Sequence, residues 1–351
     1  MENNLNGKMS WTPEPFKSTD KKVVIITEGT KNTGFGHITR CLSLYQAFEE
    51  KGIIPEFILN SDGNIEYLLK GVNYQIFNWL DEKSRLFEKV KDADIAIIDS
   101  YLANISFYNT LSDLVRLAVY IDDNKRLDYP GGIVVNGSIY AEELNYPHTD
   151  GITYLLGTKY TPLRKEFWEV QEKKIKGKIE SIMITFGGED MRNMTPNILR
   201  FLAENYPDLK KDVIIGKAFQ NIDEIKKCTD KNTNLIYYPN AEKMKETMLE
   251  SDIAISAGGQ TLYELARVGV PTIGICVAEN QLINVKGWRK AGFLEYAGWY
   301  EEGNFVERLK NLLKDLEDVN TRKSKSTAGK KLIDGRAGLR IYKFVTWQGR
   351  K

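Results

Sequence analysis

Ten short runs of aliphatic and β-branched residues, five in each half of the chain and separated by stretches with helical spacing, constrain this sequence more than any other feature. The first series is VVIIT (23–27), EFIL (56–59), IAIID (95–99), AVYIDD (118–123) and IVVN (133–136). The second is SIMITF (181–186), DVIIG (212–216), LIYY (235–238), DIAIS (252–256) and PTIGIC (271–276). Runs this apolar suit strands buried on both faces, and strands that alternate with helices pair in parallel. At 351 residues the chain also exceeds what one hydrophobic core organises. The expected fold class is α/β, with two Rossmann-like domains whose parallel sheets face across a cleft. Open sheets of this kind bind ligands beyond the carboxyl ends of their strands.

The boundaries follow from where this pattern starts and stops. Residues 1–20 are polar, carry two prolines and lack periodicity, which predicts a flexible tail. Residues 21–160 form the expected N-terminal domain and 178–320 the C-terminal one. Between them FWEVQEKKIKGKIE (167–180) reads as a helix followed by a hinge. Residues 307–316 read as a helix and TRKSKSTAGKK (321–331) as a basic, flexible loop. The last part of 321–351 has the spacing of a terminal helix that returns to the first domain.

Composition excludes several classes. Lys and Arg number 49 against 48 Asp and Glu, so no global field draws a nucleic-acid backbone or an anionic membrane. Cys41, Cys228 and Cys276 form no C-x-x-C motif and read as reduced structural thiols. With His37 and His148 as the only histidines, a multi-histidine zinc site is out of reach. No run approaches the roughly 18 apolar residues of a membrane span, nor does the start resemble a signal peptide. A cytoplasmic monomer without metal or cofactor is expected.

Chemistry concentrates at the predicted strand ends. Gly34-Phe35-Gly36-His37-Ile38-Thr39-Arg40 follows the first strand and opens a helix whose apolar positions mark one buried face. It lacks the third glycine of a dinucleotide fingerprint and the Lys-Ser/Thr of a P-loop. Glycines here let a ligand approach the helix amino end, where free N–H groups favour anions. His37, in the first turn, either caps the helix or stands neutral as a base at the cleft mouth, with Arg40 one turn on. Asp99-Ser100-Tyr101 and Asp122-Asp123-Asn124 end two buried strands, and either could orient His37. Asp122 and Asp123, as strand neighbours, face opposite sides and do not suit one shared ion.

In the second half, Gly187-Gly188 ends the opening strand, as the glycine turn does in the first. Ser256-Ala257-Gly258-Gly259-Gln260-Thr261 joins a strand to a helix, as a cradle for a diphosphate or as a close packing turn. Glu264, early in that helix, suits a ribose diol or simply the helix dipole. Asn280-Gln281 opens the next helix, reading sugar hydroxyls or acetamido groups, or capping.

Together these motifs resemble the GT-B superfamily of two-Rossmann-domain nucleotide-sugar enzymes. More narrowly, G-F-G-H-I-T-R, I-D-S-Y, Y-I-D-D, I-T-F-G-G-E-D, S-A-G-G-Q-T-L-Y-E-L-A and A-E-N-Q are similar to the UDP-sugar hydrolases of pseudaminic acid biosynthesis, in order over residues 21–294. The resemblance implies release of UDP from UDP-2,4-diacetamido-2,4,6-trideoxy-β-L-altropyranose by inverting, metal-independent attack of water at the anomeric carbon. It implies His37 as the catalytic base, Gly258 and Gly259 at the diphosphate, Glu264 at the ribose and Asn280 at the substrate. Asp99 and Tyr101 join the expected catalytic set; Gly34, Gly36, Arg40, Gly187, Gly188, Thr261 and Gln281 join the substrate-binding set. Ser100 stands where that family often has histidine, and Glu189-Asp190 differs after the glycine pair. The competing expectations are an inverting UDP-sugar glycosyltransferase of the same fold and a sugar-nucleotide binder that has lost catalysis. Against a lipid acceptor, residues 21–150 hold no apolar and basic cluster.

Overall fold

The computed structural model describes residues 21–29, 35–62 and 65–348; the tail 1–20 and Gly34 lie outside the described residues. The first sheet contains β1 (Val23–Gly29), β2 (Glu56–Ser61), β3 (Tyr74–Ile76), β4 (Ile95–Asp99), β5 (Ala118–Ile121), β6 (Gly132–Asn136) and β7 (Ile152–Leu156). Its order is β3-β2-β1-β4-β5-β6-β7, and every pairing is parallel. Helix α1 (Gly36–Glu49) packs on one face, and α2 (Lys83–Val90) and α3 (Ile105–Leu114) on the other. The alternation of β1 explains the two cores: Val23 and Ile25 meet α1, whereas Val24 and Ile26 meet Trp79, Leu86 and Phe107.

The second sheet contains β8 (Ser181–Thr185), β9 (Lys210–Ile215), β10 (Thr233–Tyr237), β11 (Ile253–Ala257), β12 (Thr272–Cys276) and β13 (Leu294–Trp299), ordered β10-β9-β8-β11-β12-β13 and again parallel. Its helices are α4 (Met194–Asn205), α5 (Ile222–Lys227), α6 (Ala241–Glu250), α7 (Thr261–Val268), α8 (Asn280–Lys290) and α9 (Phe305–Asp315). Both sheets reverse strand order beside their first strand, which opens a crevice at the carboxyl ends of β1 and β4 and of β8 and β11. No described helix is long and apolar enough to cross a membrane.

Three strands escaped the sequence pattern. β3 and β7 are half-exposed and so lack a continuous apolar run, while β13 is interrupted by a register shift opposite Gly274 and Ile275. Two other expectations need correction. Residues 167–180 hold no α-helix: one 3-10 turn, Lys165–Phe167, is followed by chain in neither helix nor strand. Lys173 anchors this stretch, since its ammonium bonds the carbonyls of Met248, Leu249 and Ser251 at the end of α6.

Residues 321–331 are not a loop but lie within α10 (Val319–Leu332), whose amino end Asp318 caps through the Thr321 amide at 2.8 Å. Arg322 is fully buried there and donates to the carbonyls of Leu316, Lys176 and Gly177. Long basic side chains can bury their stems on one helix face, so charge alone does not mark a loop. Helix α11 (Ala337–Gln348) then lies on α1, placing Ile341 and Val345 in the first domain's core. All three cysteines are free and buried.

Candidate functional site

Parallel pairing of β1 with β4 puts Thr27 opposite Asp99, and the Thr27 hydroxyl donates to the Asp99 carbonyl at 2.9 Å. The strand therefore ends with a fully buried carboxylate directly beneath the first turn of α1. His37 Nδ1 lies 2.6 Å from Asp99 Oδ1, so Asp99, and not the Asp122-Asp123 pair, orients the ring. An acceptor-only carboxylate fixes the neutral tautomer, with the proton on Nδ1 and the lone pair on Nε2. Arg40, one turn on, donates from Nε and Nη2 to both Asp99 oxygens at 2.8 Å each, and from Nη1 to Asp123 Oδ1 at 2.5 Å. Tyr101 closes the chain: its hydroxyl donates to Asp123 Oδ2 at 2.7 Å and its ring meets His37 edge-on at 4.4 Å.

This cluster sets the protonation states. One arginine faces two carboxylates, so a proton on His37 would complete the neutralisation. Burial pulls the His37 pKa down, the charge and hydrogen bond of Asp99 push it up, and the net result lies above the ordinary value. The helix amino terminus therefore does not decide the ring's state, as the sequence suggested it would; Asp99 does. Burial would raise Asp99 itself, but Arg40 and His37 hold it far below the usual carboxylate range. Burial and the Asp123 charge raise Tyr101, which keeps its hydroxyl a donor.

Asp122 points elsewhere, accepting from Tyr146 at 2.6 Å and from the amides of Asn124 and Arg126. Glu28, which the sequence did not single out, is buried and accepts the amides of Tyr101 and Leu102 at 2.6 and 3.1 Å, so it holds the turn that carries Tyr101. Gly36 starts α1 with open space around its α-carbon.

Across the cleft the β11–α7 turn divides the roles of its two glycines. Gly258 gives its amide to Gln281 Oε1 at 3.1 Å and its carbonyl to Asn284 Nδ2 at 2.7 Å. A Cβ there would sit 2.6 Å from Val285, so Gly258 is a packing glycine and not a free donor. Gln281 Oε1 also accepts the Val277 amide at 3.1 Å, tying the two turns together. Gly259 has nothing within 4 Å of a Cβ, and with Gln260 and Thr261 it offers the unpaired amides of a helix start. Asn280 stands exposed at the start of α8.

Glu264 is buried and its Oε1 is held by Arg164, from Nη2 at 2.6 Å and Nε at 2.9 Å. Gly187, at φ +78°, and Gly188 lie exposed after β8, while Asp190 caps α4 through the Met194 and Thr195 amides. Tyr263 joins the domains: its hydroxyl accepts the Ile139 amide at 3.1 Å and donates to Asn284 at 2.7 Å. The cavity between them is lined by Arg40, Asp123, Ser138 and Thr161 from one side and Gln260 and Tyr263 from the other. Arg164 and Tyr263 left no sequence signal, because each acts on a partner 100 or more residues away.

Two α/β domains with parallel sheets facing across a cleft define the GT-B fold, and this chain has it. Its residues 182–336 match the glycosyltransferase family 28 C-terminal domain. The crystal structure of Acinetobacter baumannii MurG superposes over 93% of this chain and 99% of its own with a TM-score of 0.64 at 14% identity. An uncharacterised protein of Methanocaldococcus jannaschii is 28% identical over 302 residues, 82% of this chain. A Helicobacter pylori protein named pseudaminic acid cytidylyltransferase and UDP-2,4-diacetamido-2,4,6-trideoxy-β-L-altropyranose hydrolase is 26% identical over 329 residues, 92% of this chain. The chain spans 62% and 55% of the lengths of these two relatives.

Proposed function

We propose that the protein is a nucleotide-sugar hydrolase that releases UDP from UDP-2,4-diacetamido-2,4,6-trideoxy-β-L-altropyranose or a close relative. The observation that carries this reading is the His37–Asp99 pair at 2.6 Å, bound by Arg40, which lines the cavity between the domains. Asp99 leaves Nε2 as a base, and His37 takes a proton from water as the oxygen attacks the anomeric carbon on the face opposite the nucleotide. The bond from that carbon to the β-phosphate oxygen breaks, its electron pair leaves with UDP, and the sugar inverts. The amides of Gly259, Gln260 and Thr261 and the α7 dipole receive the growing charge on the diphosphate, so no metal is part of the reading. Glu264 takes the ribose hydroxyls, and Gly187 and Gly188 leave room beside the nucleotide. The name of the Helicobacter pylori relative includes this hydrolysis, which supports the substrate choice.

The test is turnover of that UDP-sugar by purified protein in ¹⁸O-water, without acceptor and with chelator present. Label in the free sugar and none in UDP is expected; label in UDP would overturn attack at carbon. A second reading is favoured by the match to the glycosyltransferase family 28 C-terminal domain: an inverting transferase in which His37 deprotonates an acceptor hydroxyl. Turnover that requires an added acceptor would select it over the hydrolase.

A further inference from the structure

Arg164 belongs to the connector between β7 and β8, outside both sheets, yet its guanidinium reaches the first turn of α7. Both donors that reach Glu264, Nε at 2.9 Å and Nη2 at 2.6 Å, converge on one oxygen, Oε1. No described residue hydrogen-bonds Oε2. A guanidinium placed only to tie the connector to α7 would be served best by the two parallel bonds of a bidentate pair, one to each oxygen. Here one oxygen is held and the other keeps its lone pairs. The guanidinium carbon stands 5.4 Å from the centre of the Phe167 ring, which restricts its plane. The next residue ties down the other domain: the Lys165 amide donates to Gln46 Oε1 at 2.9 Å and its Nζ pairs with Glu50 at 2.6 Å, both at the far end of α1, whose first turn carries His37.

We infer that Arg164 is a positioning residue for nucleotide recognition, which by occupying Oε1 fixes the Glu264 carboxylate with Oε2 free to accept from the two adjacent hydroxyls of a ribose. This rests on the UDP-sugar reading given above. Burial raises the Glu264 pKa above the ordinary carboxylate value, and the charge and hydrogen bond of Arg164 oppose that rise.

The test is calorimetric binding of UDP and of 2′,3′-dideoxy-UDP to the full chain and to Arg164→Met, Arg164→Lys, Glu264→Gln and the Arg164→Met/Glu264→Gln double variant. For Arg164→Met we expect UDP to bind about 10–100-fold more weakly and the dideoxy nucleotide to change by less than about threefold, the size of one charged hydrogen bond to the diol. Arg164→Lys recovers part of the loss, and the double variant is no weaker than Glu264→Gln alone. In turnover KM rises while kcat stays within about threefold. Equal weakening of both nucleotides, or none, overturns the inference while leaving the UDP-sugar reading intact. Failure of the unaltered protein to bind UDP overturns that reading, and the inference with it. If Arg164→Met does not fold, the Arg164→Lys comparison between the two nucleotides decides alone.

Discussion

Asp99→Asn keeps the shape of the buried side chain and removes its charge, which makes it the sharpest probe of the proposed base. Asp99 contacts His37 at 2.6 Å and two Arg40 donors at 2.8 Å each. A hydrogen bond to an ionised partner contributes roughly 1.5–3 kcal/mol, a bias of about tenfold to over a hundredfold for the ring form with its lone pair on Nε2. Arg40 donates to both Asp99 oxygens and can only donate, so an asparagine in either orientation sets its amide nitrogen against an Arg40 donor and loosens the cluster that holds the ring. The charge that biases the proton to Nδ1 and the lone pair to Nε2 is lost. The expected fall in kcat is about 10²–10⁴-fold, because the imidazolium formed during the reaction also loses its counter-charge. The sign of the pH effect follows from the same pair. His37 works deprotonated and Asp99 raises its pKa, so activity is full above that raised value and is lost as the pH falls through it. In the variant this acid limb moves to lower pH. Steady-state UDP release between about pH 5 and 9, with calorimetric UDP binding as the control, reads both effects. A kcat within tenfold of the parent, or an acid limb that stays in place, would refute the assignment of Asp99 as the group that sets the base.

Three further outcomes are expected. His37→Asn abolishes turnover while UDP binds within about threefold of the parent, since the ring contributes to the barrier and not to nucleotide affinity; substantial residual kcat would remove the histidine from the mechanism. Gly258→Ala forces a Cβ to within 2.6 Å of Val285 and 2.9 Å of Gln281, and thermal melts should register about 1–3 kcal/mol of destabilisation. Gly259→Ala, in open space, should melt like the parent but bind UDP more weakly, and equal melting of the two variants would contradict the division of roles. Arg322→Met removes a fully buried donor from three carbonyls and should cost about 2–4 kcal/mol in urea unfolding, with KM unmoved; a loss below about 1 kcal/mol would show that the carbonyls find other partners.

The fold was legible where strands are buried on both faces. β1, β4, β8 and β11 read as uninterrupted aliphatic runs because helices cover them above and below. The half-exposed edge strands β3 and β7 carry Tyr74, Gln75 and Thr153, and nothing in those residues distinguishes a pleated edge from a loop. Helix α10 was hidden for a different reason. Its sequence is dominated by Lys, Ser and Thr, and it is stable because Asp318 caps it and Arg322, Ser326 and Gly329 face the second domain. Tertiary partners decide such a segment, and they lie up to 146 residues away.

The site shows the same limit at finer grain. Spacing placed His37, Arg40 and the carboxylates of Asp99 and Asp123 at strand and helix ends on one side of the sheet, because parallel strands bring their carboxyl ends together whatever lies between them. Which carboxylate meets the ring is a question of pleat. Asp99 continues the Ile95, Ile97 face that packs on α1, so it meets the helix bearing His37, whereas Asp122 and Asp123 follow the last residue of β5 and split to opposite partners. In the glycine turn, two adjacent glycines look alike as letters. One is required by the close approach of α8, which takes its amide through Gln281, and only the other leaves its amide for a ligand. A glycine pair at a strand-to-helix turn therefore has to be divided between packing and recognition before it is read as a phosphate cradle. The residue that makes the division here, Gln281, sits one element further along the chain.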